Sequence, residues 1–299
     1  MAGLRDIKRR IVSVKSTQKI TRAMKMVAAS KLRRSQEAIL RARPYALEMR
    51  QLVNNIASRA DEATHPLLRQ AKNGKIGIVV VTSDRGLCGG FNANIVHGLM
   101  RAIATRFADR EVEVTIVGRK GVELLKRRIK NVRATFVGVH NGSVMRAAAH
   151  IIDDIVEDFK RGGTDEVYCL YNEFKSAVQQ SVTLERLLPF APEKAAGTDD
   201  AAEGSDSQVD QASQLIDFIY EPDQEEVFDR LLVRHIRVQM HRILYESAAS
   251  EHGARMTAMD AATRNAGEVI DRLTLKYNRA RQDAITKELI EVVSGAEAL

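Results

Sequence analysis

Apolar residues recur in steps of three and four at both ends of the chain and in short unbroken runs across its middle. Near the N-terminus, Ile7, Ile11, Val14, Gln18, Thr21, Lys25, Ala28, Leu32, Ser35, Ile39, Ala42, Ala46, Met49, Val53 and Ile56 form one stripe. That spacing predicts a helix over 4–57 packed lengthwise on another helix. Pro44 lies inside it, where an interior proline costs about 3 kcal/mol and bends the helix, so a kink is expected there. Towards the C-terminus the same 3-4 alternation runs through Ala249, His252, Met256, Met259, Thr263, Ala266, Ile270, Leu273, Tyr277, Ala280 and Ala284. It predicts a second helix over 223–293, with Asp223 as N-cap and Glu226 as its capping-box partner.

From Lys75 the pattern changes. Lys75–Thr82 (KIGIVVVT) is a β-branched run of the kind buried on both faces of a sheet. Strands follow at 111–117, 132–139, 166–174 and 181–189, and helices at 92–107, 120–128 and 143–160. Strands alternating with helices predict a small Rossmann-like, mostly parallel α/β domain, its last two strands close enough in sequence to form a hairpin. The reading divides the chain into an N-terminal coiled-coil helix (1–60), an α/β domain (61–190), an acidic insertion (191–214) and a C-terminal coiled-coil helix (215–299). In the insertion, six acids face the single base Lys194 with little apolar to bury, which predicts a disordered surface loop.

A domain inserted between two long helices forces them to run antiparallel if they pack on each other. They are unequal, roughly 80 Å against 105 Å at 1.5 Å per residue. With the domain at the shared end, the excess falls at the C-terminus, where Ile285, Leu289, Ile290, Val292 and Val293 would be bare. So much apolar helix surface calls for a socket. Glu288 and Glu291 lie in this stretch, either meeting donors in the socket or facing solvent between subunits.

Charge sharpens the picture. Over residues 1–34 eleven bases stand against the single acid Asp6. A helix so one-sided repels itself and gains from neutralisation, which predicts an acidic partner. A transit peptide is also basic and acid-poor, but the seam begins at once and leaves nothing to discard. A nucleic-acid-binding coiled coil is the competing reading of this face; it lacks the interleaved aromatics that hold single strands. The two cysteines, Cys88 and Cys169, form no CxxC or zinc spacing, and the seven histidines include no HExxH. No cofactor or metal is expected. No apolar run approaches the roughly 20 residues needed to span a bilayer, so membrane association is expected only through partners.

One motif invites chemistry. Ser83–Asn92 (SDRGLCGGFN) is a glycine-rich loop between a strand and a helix, a place where phosphate can bind. It fits neither GxGxxG nor GxxxxGK[ST]. A nucleotide-dependent enzyme is therefore weighed against glycines serving a tight turn and close helix–strand packing. No nucleophile–base set assembles elsewhere.

Three stretches carry a resemblance that covers nearly the whole chain: Arg9–Leu32 (RRIVSVKSTQKITRAMKMVAASKL), Thr82–Asn92 (TSDRGLCGGFN) and Ile285–Ala296 (ITKELIEVVSGA). In that order, around an α/β insert, they resemble the gamma subunits of bacterial F-type ATP synthases. The resemblance implies a non-catalytic rotor shaft whose tip, with Ile285, Thr286, Glu288, Leu289, Glu291, Val292, Gly295 and Ala296, turns in a sleeve of alpha and beta subunits. It implies that Lys19, Arg22, Met24, Lys25, Lys31, Arg33 and Arg34 face acidic segments of the beta subunits. A foot including Phe218, Tyr220 and Glu221 would meet the c-subunit ring and the epsilon subunit. The implied location is the cytoplasmic side of the bacterial inner membrane, and the implied task is coupling of proton-driven rotation to ATP synthesis.

Overall fold

The computed structural model describes residues 4–57, 65–69, 74–139, 144–191 and 223–297. The element order is α1 (Leu4–Ala57), β1 (Ile76–Val81), α2 (Phe91–Thr105), β2 (Val112–Val117), α3 (Arg119–Leu125), β3 (Val132–Phe136), α4 (Val144–Lys160), β4 (Glu166–Phe174), β5 (Gln180–Leu188) and α5 (Gln224–Glu297). The acidic stretch lies outside the described residues apart from Ala191. Two compact units emerge, one of Met1–Ser30 with Arg255–Leu299 and one of Lys31–Ala254. The division falls inside both long helices.

In the larger unit, five strands form one sheet in the order β3-β2-β1-β4-β5. β1 pairs in parallel with β2 and β4, β2 with β3, and the expected hairpin is the antiparallel β4–β5 edge. Side chains alternate across the sheet with period two. Ile76, Ile78 and Val80 of β1 join Tyr168 and Leu170 of β4 on one face, under Ile95, Val96 and Leu99 of α2 and Leu125 of α3. Val79 and Val81, with Val167, Cys169 and Tyr171, point to the other face. There α4 contributes Ile151, Ile152 and Ile155, the end of α1 contributes Met49, Val53 and Ile56, and the start of α5 contributes Phe228, Leu232, Ile236, Met240 and Leu244. Both long helices are thus rooted in one apolar layer. Burial of a side chain of this size is worth about 1.5–3 kcal/mol.

A polar anchor accompanies that layer. The Arg242 guanidinium of α5 donates to both carboxylate oxygens of Glu185 on β5, at 2.5 and 2.7 Å. Tyr171 donates its hydroxyl to the same carboxylate at 2.9 Å. Burial, and to a smaller extent Glu185 and Glu246, push the Tyr171 hydroxyl well above its usual range even though Arg242 opposes them. It remains a neutral donor.

Element edges differ from the periodicity reading where local chemistry intervenes. β3 ends at Phe136 rather than 139, because Gly138 adopts a positive φ of 74° and its N–H is held by Asp84, turning the chain out of the sheet. α3 ends at Leu125 rather than 128, because the N–H groups of Arg128 and Ile129 both bond back to the Leu125 carbonyl. Pro44 sits on the exposed side of α1 and does not end it. Asp223 supplies the carbonyl for the first helical bond of α5, from Val227, and Glu226 accepts from Arg230 one turn on.

Gly118 has a φ of 100°, and a Cβ there would lie 2.2 Å from the Thr82 carbonyl oxygen. Gly118→Ala is expected to lower the unfolding free energy of the full chain by roughly 2–5 kcal/mol, adding backbone strain to overpacking. Gly162→Ala, at a φ of 76° but with open space around it, should lose only about 1–2 kcal/mol. Urea midpoints of the two variants check this; equal shifts would show that the Thr82 contact is not limiting.

Candidate functional site

The smaller unit is a helix pair. Its seam follows the 3-4 spacing without exception: from Ile7 to Ala28 on α1 and from Met256 to Ala284 on α5, every stripe position is buried or half-buried. Ile7, Ala28, Met259 and Ala266 are among the buried ones. Between them lies a polar layer. Gln18 Nε2 donates to the Thr263 carbonyl at 3.4 Å, the Thr21 and Thr263 hydroxyls are 2.7 Å apart, and Lys25 Nζ reaches Asp260 at 2.5 Å. The hydrogen bond from Lys25 is the main cause holding the Asp260 carboxyl below its ordinary range.

These contacts fix direction and register. As the α1 number rises from Thr21 to Lys25, the α5 number falls from Thr263 to Asp260, so the helices are antiparallel. Carried back to Leu4, the same register reaches about residue 281 of α5. Beyond it the half-buried stripe ends at Ala284, and every side chain from Ile285 to Ile290 is exposed. Ile285 is 48%, Leu289 61%, Ile290 59% and Val293 55% accessible. A helical segment with four large apolar side chains at this exposure has lost its covering partner.

The predicted tip residues Ile285, Thr286, Glu288 and Leu289 are therefore all on the uncovered segment, and Glu288 is exposed beside them. Gly295 and Ala296 lie within α5, as do Glu291 and Val292, but the side chains of these four fall outside the described residues. Phe218, Tyr220 and Glu221 fall outside them entirely.

The basic residues divide in two. Lys25 is committed to Asp260 and Arg33 to Glu37, at 2.5 and 3.0 Å. Lys19, Arg22, Lys31 and Arg34 are exposed, and among the described residues none of them makes an ion pair or side-chain hydrogen bond. Met24 is half-buried. Asp260 escaped the sequence reading because its importance depends on register. It stands next to the seam residue Met259, and an antiparallel alignment through Thr21 and Thr263 would have found it.

The glycine loop is consumed by its own packing. Ser83 N–H donates to Asn92 Oδ1 at 3.0 Å, and Asn92 Nδ2 donates to Ser83 Oγ at 2.8 Å. Thr82 Oγ1 donates to the Val117 carbonyl and accepts from Gly121 N–H. Leu87 and Gly89 take positive φ values of 63° and 57° to close the turn. Asp84 accepts from the N–H groups of Arg119 and Gly138. Asp84 thus ties the loop to the start of α3 and to the turn after β3, and the tight-turn reading is the one the geometry favours. Among the described residues no cluster of three or more His, Cys, Asp or Glu could hold a metal ion.

Comparison with known proteins places this geometry. A family model described as ATP synthase matches residues 3–299. The ATP synthase gamma chain of Geobacter metallireducens is 48% identical over 300 residues, spanning 100% of this chain and 99% of the relative. That of Anaeromyxobacter sp. (strain Fw109-5) is 49% identical over 304 residues, covering both chains in full. Among solved structures, a chain of the Tetrahymena thermophila mitochondrial ATP synthase central stalk and c-ring superposes with a TM-score of 0.60 at 25% identity, covering 81% of this chain and 99% of that one. A rotor chain of the Euglena gracilis mitochondrial enzyme, at 19% identity and a TM-score of 0.65, covers 94% of this chain and 98% of its own, and shares the fold. Paired long helices around a five-stranded α/β insert, matched end to end by bacterial relatives, mean that this chain belongs to the ATP synthase gamma chain family.

Proposed function

We propose that the chain is the central shaft of a bacterial F-type ATP synthase, transmitting rotation between a membrane ring of c subunits and the catalytic beta subunits. The observation that carries this reading is the uncovered end of α5, apolar and beyond the reach of α1. Such a segment suits an apolar sleeve of alpha and beta subunits, where Ile285, Thr286, Glu288, Leu289, Glu291, Val292, Gly295 and Ala296 would turn. Lys19, Arg22, Lys31 and Arg34, exposed and uncommitted, would meet acidic segments of the beta subunits. Met24, Lys25 and Arg33 would flank them. The α/β domain, with Phe218, Tyr220 and Glu221, would rest on the c ring and the epsilon subunit.

Coupling in this scheme is mechanical. A cross-section that is basic on one side and apolar along another makes different contacts with three chemically identical neighbours. Only such differential contact can shift each neighbour towards a different nucleotide affinity. The shaft itself holds no nucleotide and breaks no bond. Among the described residues no helix is long and apolar enough to cross a membrane. Attachment to the cytoplasmic face of the inner membrane would therefore run through partners. Membership of the gamma chain family removes the ground for reading the basic face of α1 as a nucleic-acid surface.

Replacing Leu289 and Ile290 together by Gln should leave the unfolding midpoint of the isolated chain unchanged, since both are exposed there. Co-expressed with alpha and beta partners, the same variant should assemble poorly on sizing, because each side chain forfeits about 1.5–3 kcal/mol of burial in the sleeve. A shifted midpoint with intact assembly would overturn the sleeve. Met24→Lys, which adds charge at the proposed beta-facing surface, should impair coupling more than assembly. ATP hydrolysis and proton pumping measured on one preparation decide it, and equal loss of both would count against the contact.

A further inference from the structure

The connection between α3 and β3 carries charge that the shaft mechanism leaves unused. From Leu124 to Ile152 the sequence holds six Lys and Arg and no acid. Four of them, Lys126, Arg127, Arg128 and Lys130, crowd into this one turn, and all four are exposed. Arg133 is committed to Asp154 and Asp158. Among the described residues none of the four makes an ion pair or side-chain hydrogen bond. Nearby, Glu111 pairs with Lys75 and Glu166 with Arg110.

The turn is firmly seated. The carbonyl of the fully buried Leu125 accepts from the N–H groups of Arg128 and Ile129 at 2.8 and 3.0 Å, and Ile129 packs into the core under α2. Leu124, 42% exposed, and Val132, 36% exposed, flank the four cations. Because β1 to β4 run parallel, the turn lies at the end of the sheet where all four begin. α5 begins at that end as well: from Glu185 to Phe190 along the antiparallel β5, its contacts step back from Arg242 to His235. On the shaft reading α5 starts at the c ring, so this end faces the membrane. β3 is an edge strand, which puts the turn at the periphery of that end.

We propose that the α3–β3 turn docks on anionic lipid headgroups through Lys126, Arg127, Arg128 and Lys130, with Leu124 and Val132 at the headgroup boundary. The inference rests on the shaft reading, and the contact supplements attachment through protein partners. Unpaired cations beside apolar side chains are what an anionic membrane surface attracts, whereas lysine is depleted from protein interfaces. A fluid lipid surface also demands no fixed geometry, so a turning rotor can slide over it.

Sedimentation of the purified alpha–beta–gamma complex with phosphatidylglycerol vesicles tests the contact, since the basic face of α1 would be covered in that complex. Binding is expected, falling steeply with added salt and absent with phosphatidylcholine vesicles. Arg127→Gln with Arg128→Gln should weaken it roughly thirtyfold without moving the unfolding midpoint. Arg119→Gln with Lys175→Gln removes the same charge from exposed residues just past the opposite ends of β2 and β4, and should leave binding unchanged. Equal weakening by both pairs would reduce the effect to net charge and overturn the proposal, as would equal binding to both lipids. If the Arg127→Gln, Arg128→Gln complex keeps its vesicle affinity but loses the epsilon subunit or the c ring on sizing, the turn is a protein-docking surface and the lipid contact falls. A wild-type chain that fails to assemble with alpha and beta sinks the shaft reading instead, and the same two pairs compared on the free chain still decide the turn.

Discussion

An antiparallel pair of unequal helices cannot cover both partners along their full length, and the structure follows from that constraint. α1 has 54 residues and α5 has 74. The register set by Thr21 with Thr263 and Lys25 with Asp260 places the shortfall at the C-terminal end of α5. Apolar side chains continue past the point where the partner stops. Their hydrophobic stabilisation is left to be realised in an assembly rather than in the chain.

The opposite parts of the same helices are treated differently. In the larger unit Met49, Val53 and Ile56 of α1 and Leu232, Ile236 and Met240 of α5 enter one core with the sheet and α4. Arg234 of α5 stacks over the Tyr45 ring of α1 at 5.6 Å, and Arg242 ties α5 to the sheet through Glu185. Three kinds of contact hold the helices where they meet the domain: apolar burial, a cation over a ring and a bidentate ion pair. In the smaller unit the seam alone suffices. A helix end with few buried contacts is the part of a protein free to adapt to a neighbour.

Much of this was legible in sequence because it is local. The stripe from Ile7 to Ile56 and its counterpart from Ala249 to Ala284 depend only on helical period, and every stripe position is buried or half-buried. β1 was readable from its β-branched run, since a strand buried on both faces tolerates little else. What eluded the sequence depends on residues brought together from afar. Asp260 acquires its role from a register that neither helix encodes alone. The collision of any Cβ at Gly118 with Thr82 explains the glycine, yet it needs the position of β2 beside β1 to be seen. His235 looked like one of seven scattered histidines, and only the approach of β5 and α1 turns it into the wall of a recess.

The polar layer within the helix seam has a consequence for a rod that bears load. A purely apolar stripe repeats itself every few residues, so sliding one strand of the pair by a turn would exchange one greasy contact for another. Here a slip of four residues would set Lys25 beside Met256 in one direction and beside Arg264 in the other, forfeiting its carboxylate in the first case and meeting a like charge in the second. Single polar positions in such seams specify alignment at some expense in stability. The pair is thus built to resist creep under twist, and torque applied at one end arrives at the other as rotation rather than as slack.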